Sequence, residues 1–294
     1  MITINSKLRR SMLYLPGNNP GMLQDAHIYG ADSVLLDLED SVVVSEKDAA
    51  RLMVKNAIKS IDYGQVEVTV RINPLETDYA RRDIEEIVPV EPDALRLPKS
   101  ESAQQIMEVA ELITELEQKN GIKKGTVKLM PMIETTEGVK KAEEIAEASD
   151  RNVALTIGGE DLATDMGTTR TRGGEEIFTA RSLVVIAAKS AELDALDTIY
   201  SDVNDIEGLI EETILAKRLG FSGKAVIHPK QIKPVHRVFN PSEEEVREAY
   251  RVVEAAREAE EKGLGVITVN GRMVDTPIIN RAERILTYAE NMEK

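Results

Sequence analysis

Eight short apolar runs recur along the chain, and stretches with helical spacing lie between them. The runs cover residues 11–16 (SMLYLP), 33–40 (SVLLDLED), 67–73 (EVTVRIN), 94–100 (ALRLPKS), 128–134 (KLMPMIE), 152–158 (NVALTIG), 197–202 (DTIYSD) and 223–229 (GKAVIHP). The clearest helical patterns lie over 46–61, 101–119, 175–193 and 205–219. Ser100, followed by acids, and Asp205 are the expected helix caps, and Gly220 stands where the helix before the eighth run should stop. Parallel strands need a long crossover, usually a helix, so this alternation is the signature of a parallel sheet. Eight such units in 294 residues predict an α/β fold, a (β/α)8 TIM barrel. A doubly wound open sheet is the alternative. It would more often show fewer strands and a Gly-rich turn after the first, which here reads PGNNPG.

The rhythm ends near residue 239. Residues 1–239 are therefore expected to form a catalytic barrel domain, and 240–294 a C-terminal helical extension at a subunit interface. The extension reads as a charged helix from Pro241-Ser242-Glu243 to about Lys262, a strand-like piece over 266–270, and a last helix from about Pro277. Leu264, Val266, Ile267, Val269 and Val274 concentrate apolar surface there, which a second copy could bury.

Composition excludes several classes. The net charge of −15 disfavours nucleic acid and anionic membrane as partners. The absence of cysteine excludes disulfides, thiolate metal sites and cysteine nucleophiles. The first ten residues are polar and lack a signal sequence's apolar core, and no apolar run approaches the roughly 20 residues of a membrane helix. These features predict a soluble, cytoplasmic protein.

The stretch 128–161 concentrates the chemistry. Two apolar runs each end in acid: Glu134 closes the first, and Glu160 and Asp161 close the second. A helical pattern over 135–150 joins them. In parallel folds chemistry gathers at the carboxyl ends of strands, so both carboxylates should reach one rim. Nearby carboxylates repel unless a cation lies between them, and a hard divalent ion is the simplest resolution. Glu134 and Asp161 are the metal candidates, although either alone could be a helix cap.

Arg71 sits within the third run between Val70 and Ile72, where a charge is costly unless paired. Either it pairs with Asp37 or Glu39, or its guanidinium fork holds a substrate carboxylate. Lys99 ends the fourth run; a phosphate contact or a solvated lysine is favoured over a Schiff base. Gly158-Gly159 could turn backbone N–H groups toward an oxyanion, but lacks the spacing of a dinucleotide site. His27, His228 and His236 show no metal-ligand spacing. His228 should face the rim or cap a helix, and His27 should be structural.

Several motifs together resemble a known family. RSMLYLPG (10–17), LDLEDSV (36–42), VRINP (70–74), LPKSES, MPMIET, GGED, GKAVIHPKQI and NGRMVDTP follow in order through nearly the whole chain. They resemble the citrate lyase β subunit family, the citryl-thioester lyase branch of barrel aldolases that also includes malyl-CoA lyases. The resemblance implies a Mg2+-dependent carbon–carbon lyase. It would split a citryl group, held as a thioester on an acyl carrier protein, into acetyl thioester and oxaloacetate. By the family pattern Arg71 matches the substrate-carboxylate arginine. Glu134 matches the acid that binds Mg2+ and lies against substrate, and Asp161 the second Mg2+ ligand. Asp275 matches an acid–base aspartate that relatives reach across a subunit interface to use; by its position alone it reads as a helix N-cap. The implied partners are an acyl carrier protein subunit and a transferase subunit, in a homo-oligomer that is a trimer or hexamer. Two alternatives remain: a stand-alone enzyme acting on malyl-CoA or citramalyl-CoA, and a non-catalytic scaffold that binds the carrier.

Overall fold

The computed structural model describes residues 7–261, 267–269 and 272–292. The chain divides into two compact units, Arg9–Phe239 and a smaller one of Met1–Leu8 with Asn240–Lys294.

The larger unit is a closed barrel of eight parallel strands in sequence order, with β8 pairing back onto β1. The chain runs β1 (Ser11–Pro16), α1 (Pro20–Asp25), β2 (Ser33–Asp37), α2 (Lys47–Ser60), β3 (Glu67–Arg71), α3 (Asp78–Ile87), β4 (Ala94–Leu97) and α4 (Ala103–Lys119). It continues through β5 (Lys128–Ile133), α5 (Thr136–Lys140), α6 (Ala142–Glu147), β6 (Ala154–Ile157) and α7 (Gly159–Asp165). It closes with α8 (Phe178–Ser190), β7 (Asp194–Asp197), α9 (Ile206–Leu219), β8 (Gly223–Val226) and α10 (Ile232–Phe239). The predicted (β/α)8 TIM barrel is thus the observed fold.

Strand alternation sorts the apolar residues into two cores. Leu13, Leu15, Val34, Leu36, Val68, Val70, Leu95 and Leu97 face outward and pack against the helices in one large cluster. Met12, Leu35, Ala94, Met130, Ala154 and Leu196 face inward and form a small plug. Each fully buried aliphatic side chain contributes about 1.5–3 kcal/mol, so the larger outer layer carries most of the stability. At the amino ends of the strands, Arg9 forks onto Glu67 at 2.7 and 2.8 Å and reaches Asp194 at 2.8 Å. Arg10 grips Asp32 at 2.6 Å. The carboxyl ends are thereby left for a site.

Three local expectations differ from the structure. The seventh strand is Asp194–Asp197, not 197–202. Its last residue, Asp197, is buried where Arg181 from α8 and Lys224 from β8 neutralise it, a long-range pairing that local pattern does not show. The single helix expected over 135–150 is two, parted at Lys141. Ser100 is not the cap of α4: its hydroxyl donates to the Leu97 carbonyl, while Ser102 forms a capping box with Gln105. Asp205 does cap α9, accepting from the Gly208 N–H at 2.9 Å. Gly220 ends that helix at φ 106°, a conformation in which glycine escapes the Cβ clash.

In the smaller unit α11 (Glu243–Glu261) and α12 (Thr276–Met292) pack together beside an antiparallel ribbon of β9 (Ile267–Val269) and β10 (Arg272–Val274). Ala249, Val252, Val274 and Ala282 form its core, with Val269 packed on it. Val274 and Val269 are therefore satisfied within their own unit. Of the other apolar residues expected to seek a partner, Leu264, Val266 and the side chain of Ile267 lie outside what the structure describes.

Candidate active site

Register places the inward side chains of the first strands in layers. Pro16, Asp37, Arg71 and Arg96 are successive partners across β1 to β4, on the carboxyl side of Leu35 and Ala94 of the apolar plug, and the β5 partner of Arg96 is Met130 of the plug itself. Arg71 uses two nitrogens on Asp37, at 2.6 and 2.7 Å. Its third lies 2.6 Å from Glu39 and 3.3 Å from Asp40. The guanidinium sits 5.2 Å from the centre of the Tyr14 ring. The ion pair foreseen for Arg71 is thus formed, and it fixes the guanidinium at the cavity wall. Burial alone would raise the Asp37 carboxyl, but Arg71 holds it below the usual carboxylate range. Burial pushes Glu39 up to about 7, against the pull of Arg71 and with the help of Asp40 and Asp37.

Glu134 follows the last residue of β5 and is wholly buried. One oxygen accepts the Lys99 N–H at 2.7 Å. Lys99 takes a positive φ of 46° to aim that N–H, a left-handed conformation costing about 1–3 kcal/mol for a residue with a Cβ. The other oxygen, Oε2, is buried with no hydrogen-bond partner. Burial, then the nearby Glu39 and Asp161 carboxylates, push Glu134 up to about 8. A buried carboxylate with an orphaned oxygen among like charges is a poor structural element and a good cation ligand.

Gly158 packs directly on this carboxylate. A Cβ there would overlap Glu134 Oε2 and meet the Met132 Cε at 2.7 Å. The glycine pair does not present free donors, contrary to the oxyanion reading. The Gly158 N–H donates to the Ile133 carbonyl at 2.9 Å, and the Gly159 N–H to Thr198 Oγ1 at 2.9 Å. The glycines instead bring the start of α7 against β5. Glu160 and Asp161 lie in its first turn. Asp161 lines the cavity, and Glu160 is exposed, with Ser201 donating to it at 3.3 Å.

The cavity measures about 430 Å³ and is walled by Tyr14, Asp37, Arg71, Arg96, Gly158 and Asp161, among others. Glu134 stands behind Gly158. Among the described residues no three acids or histidines are preassembled as a metal cage. Two carboxylates fit an ion such as Mg2+, which takes one or two protein carboxylates and fills its shell with substrate and water.

The other candidates lie elsewhere. His228 Nδ1 accepts the Lys230 N–H at 3.1 Å, so it is a cap. His27 is exposed, its ring edge-on to Tyr63. His236 is 2.7 Å from Ser11 Oγ, at the amino end of β1. Asp275 belongs to the smaller unit, exposed, and accepts the Ile278 N–H at 3.3 Å as the cap of α12. Reading the sequence missed Tyr14, Asp40 and Arg96. Arg96 carries the signal that singled out Arg71, a charge flanked by apolar residues inside a strand.

Residues 10–229 match the family described as HpcH/HpaI aldolase/citrate lyase. The chain belongs to this family. The citrate lyase subunit beta of Leuconostoc mesenteroides subsp. cremoris is 45% identical over 285 residues, covering 97% of this chain and 94% of that protein. A crystal structure of CitE from Mycobacterium tuberculosis, in complex with magnesium, acetoacetate and coenzyme A, is 32% identical with a TM-score of 0.79 over 96% of this chain and 98% of that one. The citrate lyase beta subunit complexed with oxaloacetate and magnesium, also from M. tuberculosis, is 32% identical with a TM-score of 0.69 over 80% and 100%. As a member of the aldolase/citrate lyase family, this protein is a lyase. No helix among the described residues is long and apolar enough to cross a membrane.

Proposed function

We propose that this lyase cleaves a citryl thioester, carried on an acyl carrier protein, to acetyl thioester and oxaloacetate. It would act as the β subunit of a citrate lyase, beside a carrier subunit and a transferase subunit. The observation that carries the reading is the orphaned Glu134 Oε2, buried near Asp161 beside a cavity that also presents Arg71. The likeness to citrate lyase beta subunits, one of them complexed with oxaloacetate and magnesium, supports the substrate and the ion.

Glu134 and Asp161 would hold Mg2+. Bound there, the ion would acidify the substrate hydroxyl and stabilise charge on the emerging keto acid. Arg71, already oriented by Asp37, would bind the carboxylate next to that hydroxyl through the nitrogen that now lies against Glu39 and Asp40. A base takes the hydroxyl proton. The carbon–carbon bond then breaks, its electron pair passes to the thioester as an enolate, and a proton completes the acetyl group. The thioester makes that enolate accessible, so no Schiff-base lysine is required. Asp275 of a second copy is assigned the base role, in keeping with its exposure.

A second reading draws on the coenzyme A in the M. tuberculosis structure. A stand-alone lyase for malyl-CoA or citramalyl-CoA would use the same residues. The test of the shared site is direct. Glu134→Ala and Asp161→Ala should each lower Mg2+-dependent turnover at least about 100-fold while circular dichroism stays native. Wild-type turnover in either variant would reject the assignment.

A further inference from the structure

Six arginines of the barrel are buried, and five of them are neutralised. Arg9 pairs with Glu67, Arg51 with Asp83, Arg71 with Asp37, Arg151 with Glu117 and Arg181 with Asp197. The sixth, Arg96, is 1% exposed and forms no ion pair among the described residues. One terminal nitrogen donates to the Tyr14 hydroxyl at 2.8 Å. The other lies against the sulfurs of Met12 and, at 3.9 Å, Met130. Its Nε has no partner. The partners are a phenol and two thioethers, so no carboxylate faces the guanidinium. A buried unpaired charge is strongly unfavourable, and this one forms part of the cavity wall.

We propose that Arg96 is the receptor for a second substrate carboxylate, and so selects citryl substrates over those with one carboxylate. The inference rests on the lyase reading above. The candidate substrates share a hydroxyl beside a carboxylate. They differ at one branch: citryl has a carboxymethyl group where citramalyl has a methyl and malyl a hydrogen. The shared carboxylate belongs to Arg71 and the cation. Arg71 has little charge left for another anion, because Asp37, Glu39 and Asp40 all lie within 3.3 Å of it. Arg96 is the neighbouring residue in the same inward layer, and its guanidinium lies 5.7 Å from the Tyr14 ring that Arg71 also approaches. The carboxymethyl branch thus finds an unsatisfied cation, whereas a methyl leaves it unsatisfied.

The test is calorimetric titration of the full chain, with saturating Mg2+, with oxaloacetate and with pyruvate. These keto acids differ only in the distal carboxylate. Wild type should bind oxaloacetate roughly 10- to 100-fold more tightly than pyruvate, the value of a hydrogen bond to a charged group. Arg96→Met, whose side chain suits the sulfur-lined surroundings, should abolish the preference and leave pyruvate affinity within about threefold. Arg96→Lys keeps the charge, should keep part of the preference, and serves if the Met variant does not fold. The proposal is overturned if a folded Met variant retains the preference. Equal loss of both acids in the two variants would also overturn it, by showing a structural role. Wild type that binds both acids equally rejects Arg96 as receptor while leaving the lyase reading intact. Wild type that binds neither rejects both.

Discussion

Glu134 shows function set against stability in one residue. In the unfolded chain its carboxyl would titrate near 4.5, and in the barrel it is pushed up to about 8. Between those values the folded protein holds a proton that the unfolded chain has released. Stability from this group is complete below the lower value and is lost as pH rises through the upper one, as long as no cation is present. Glu39, pushed up to about 7, adds to the same slope. Glu134→Gln should remove the main contribution. Without divalent ions, wild-type Tm should fall between about pH 5 and about pH 8 by at least about 2 °C more than that of the variant. Added Mg2+ should raise Tm at the higher pH for wild type only. Parallel profiles for the two proteins would show that Glu134 is not held protonated. Glu134 and Arg71 were legible because strand ends and strand interiors make charges conspicuous, whereas Asp161, read as closing a strand, lies in the first turn of α7. Lys99 acts through its backbone N–H at a left-handed φ, which no side-chain pattern announces.

At the scale of elements, β7 shows where pattern fails. The expected stretch, 197–202, is rich in the β-formers Thr, Ile and Tyr, whereas the observed one is the acid-bounded DALD. Tertiary pairing decides. Asp197 accepts from Arg181 at 3.0 and 2.8 Å and from Lys224 at 2.8 Å, and Lys224 also meets Glu212 at 3.2 Å. This wholly buried cluster ties β7 and β8 to α8 and α9. Asp197→Ala would leave two buried cations facing Glu212 alone. It should cost roughly 3–5 kcal/mol in urea denaturation, the scale of breaking a buried pair. A loss below about 1 kcal/mol would mean the cluster relaxes freely. Where apolar alternation dominates, the starts were legible: β1 matches, and β2, β3 and β4 begin where expected but end two or three residues before the expected runs do.

For the whole molecule, the barrel followed from eight repeats of one unit, which few folds accommodate. The smaller unit was less legible, because apolar residues can face a partner or their own core. Val274 has taken its own core. Asp275 caps α12 and is exposed, so the cap and the intersubunit base are compatible roles. The mixture of Asp275→Ala and Glu134→Ala, each expected to be inactive alone, tests the second role. With subunit exchange verified, about a quarter of wild-type activity should return if each site draws on two copies, because random pairing joins the two intact residues that often. No recovery would leave Asp275 as a cap alone. The central claim, a Mg2+-dependent citryl-thioester lyase, is tested most directly by release of oxaloacetate from citryl-loaded acyl carrier protein and from citryl-CoA, with Mg2+ and with excess chelator. Oxaloacetate should appear from at least the carrier-bound substrate with Mg2+ and fall to background with chelator. Equal rates in chelator, or no oxaloacetate from either substrate with Mg2+, would contradict it.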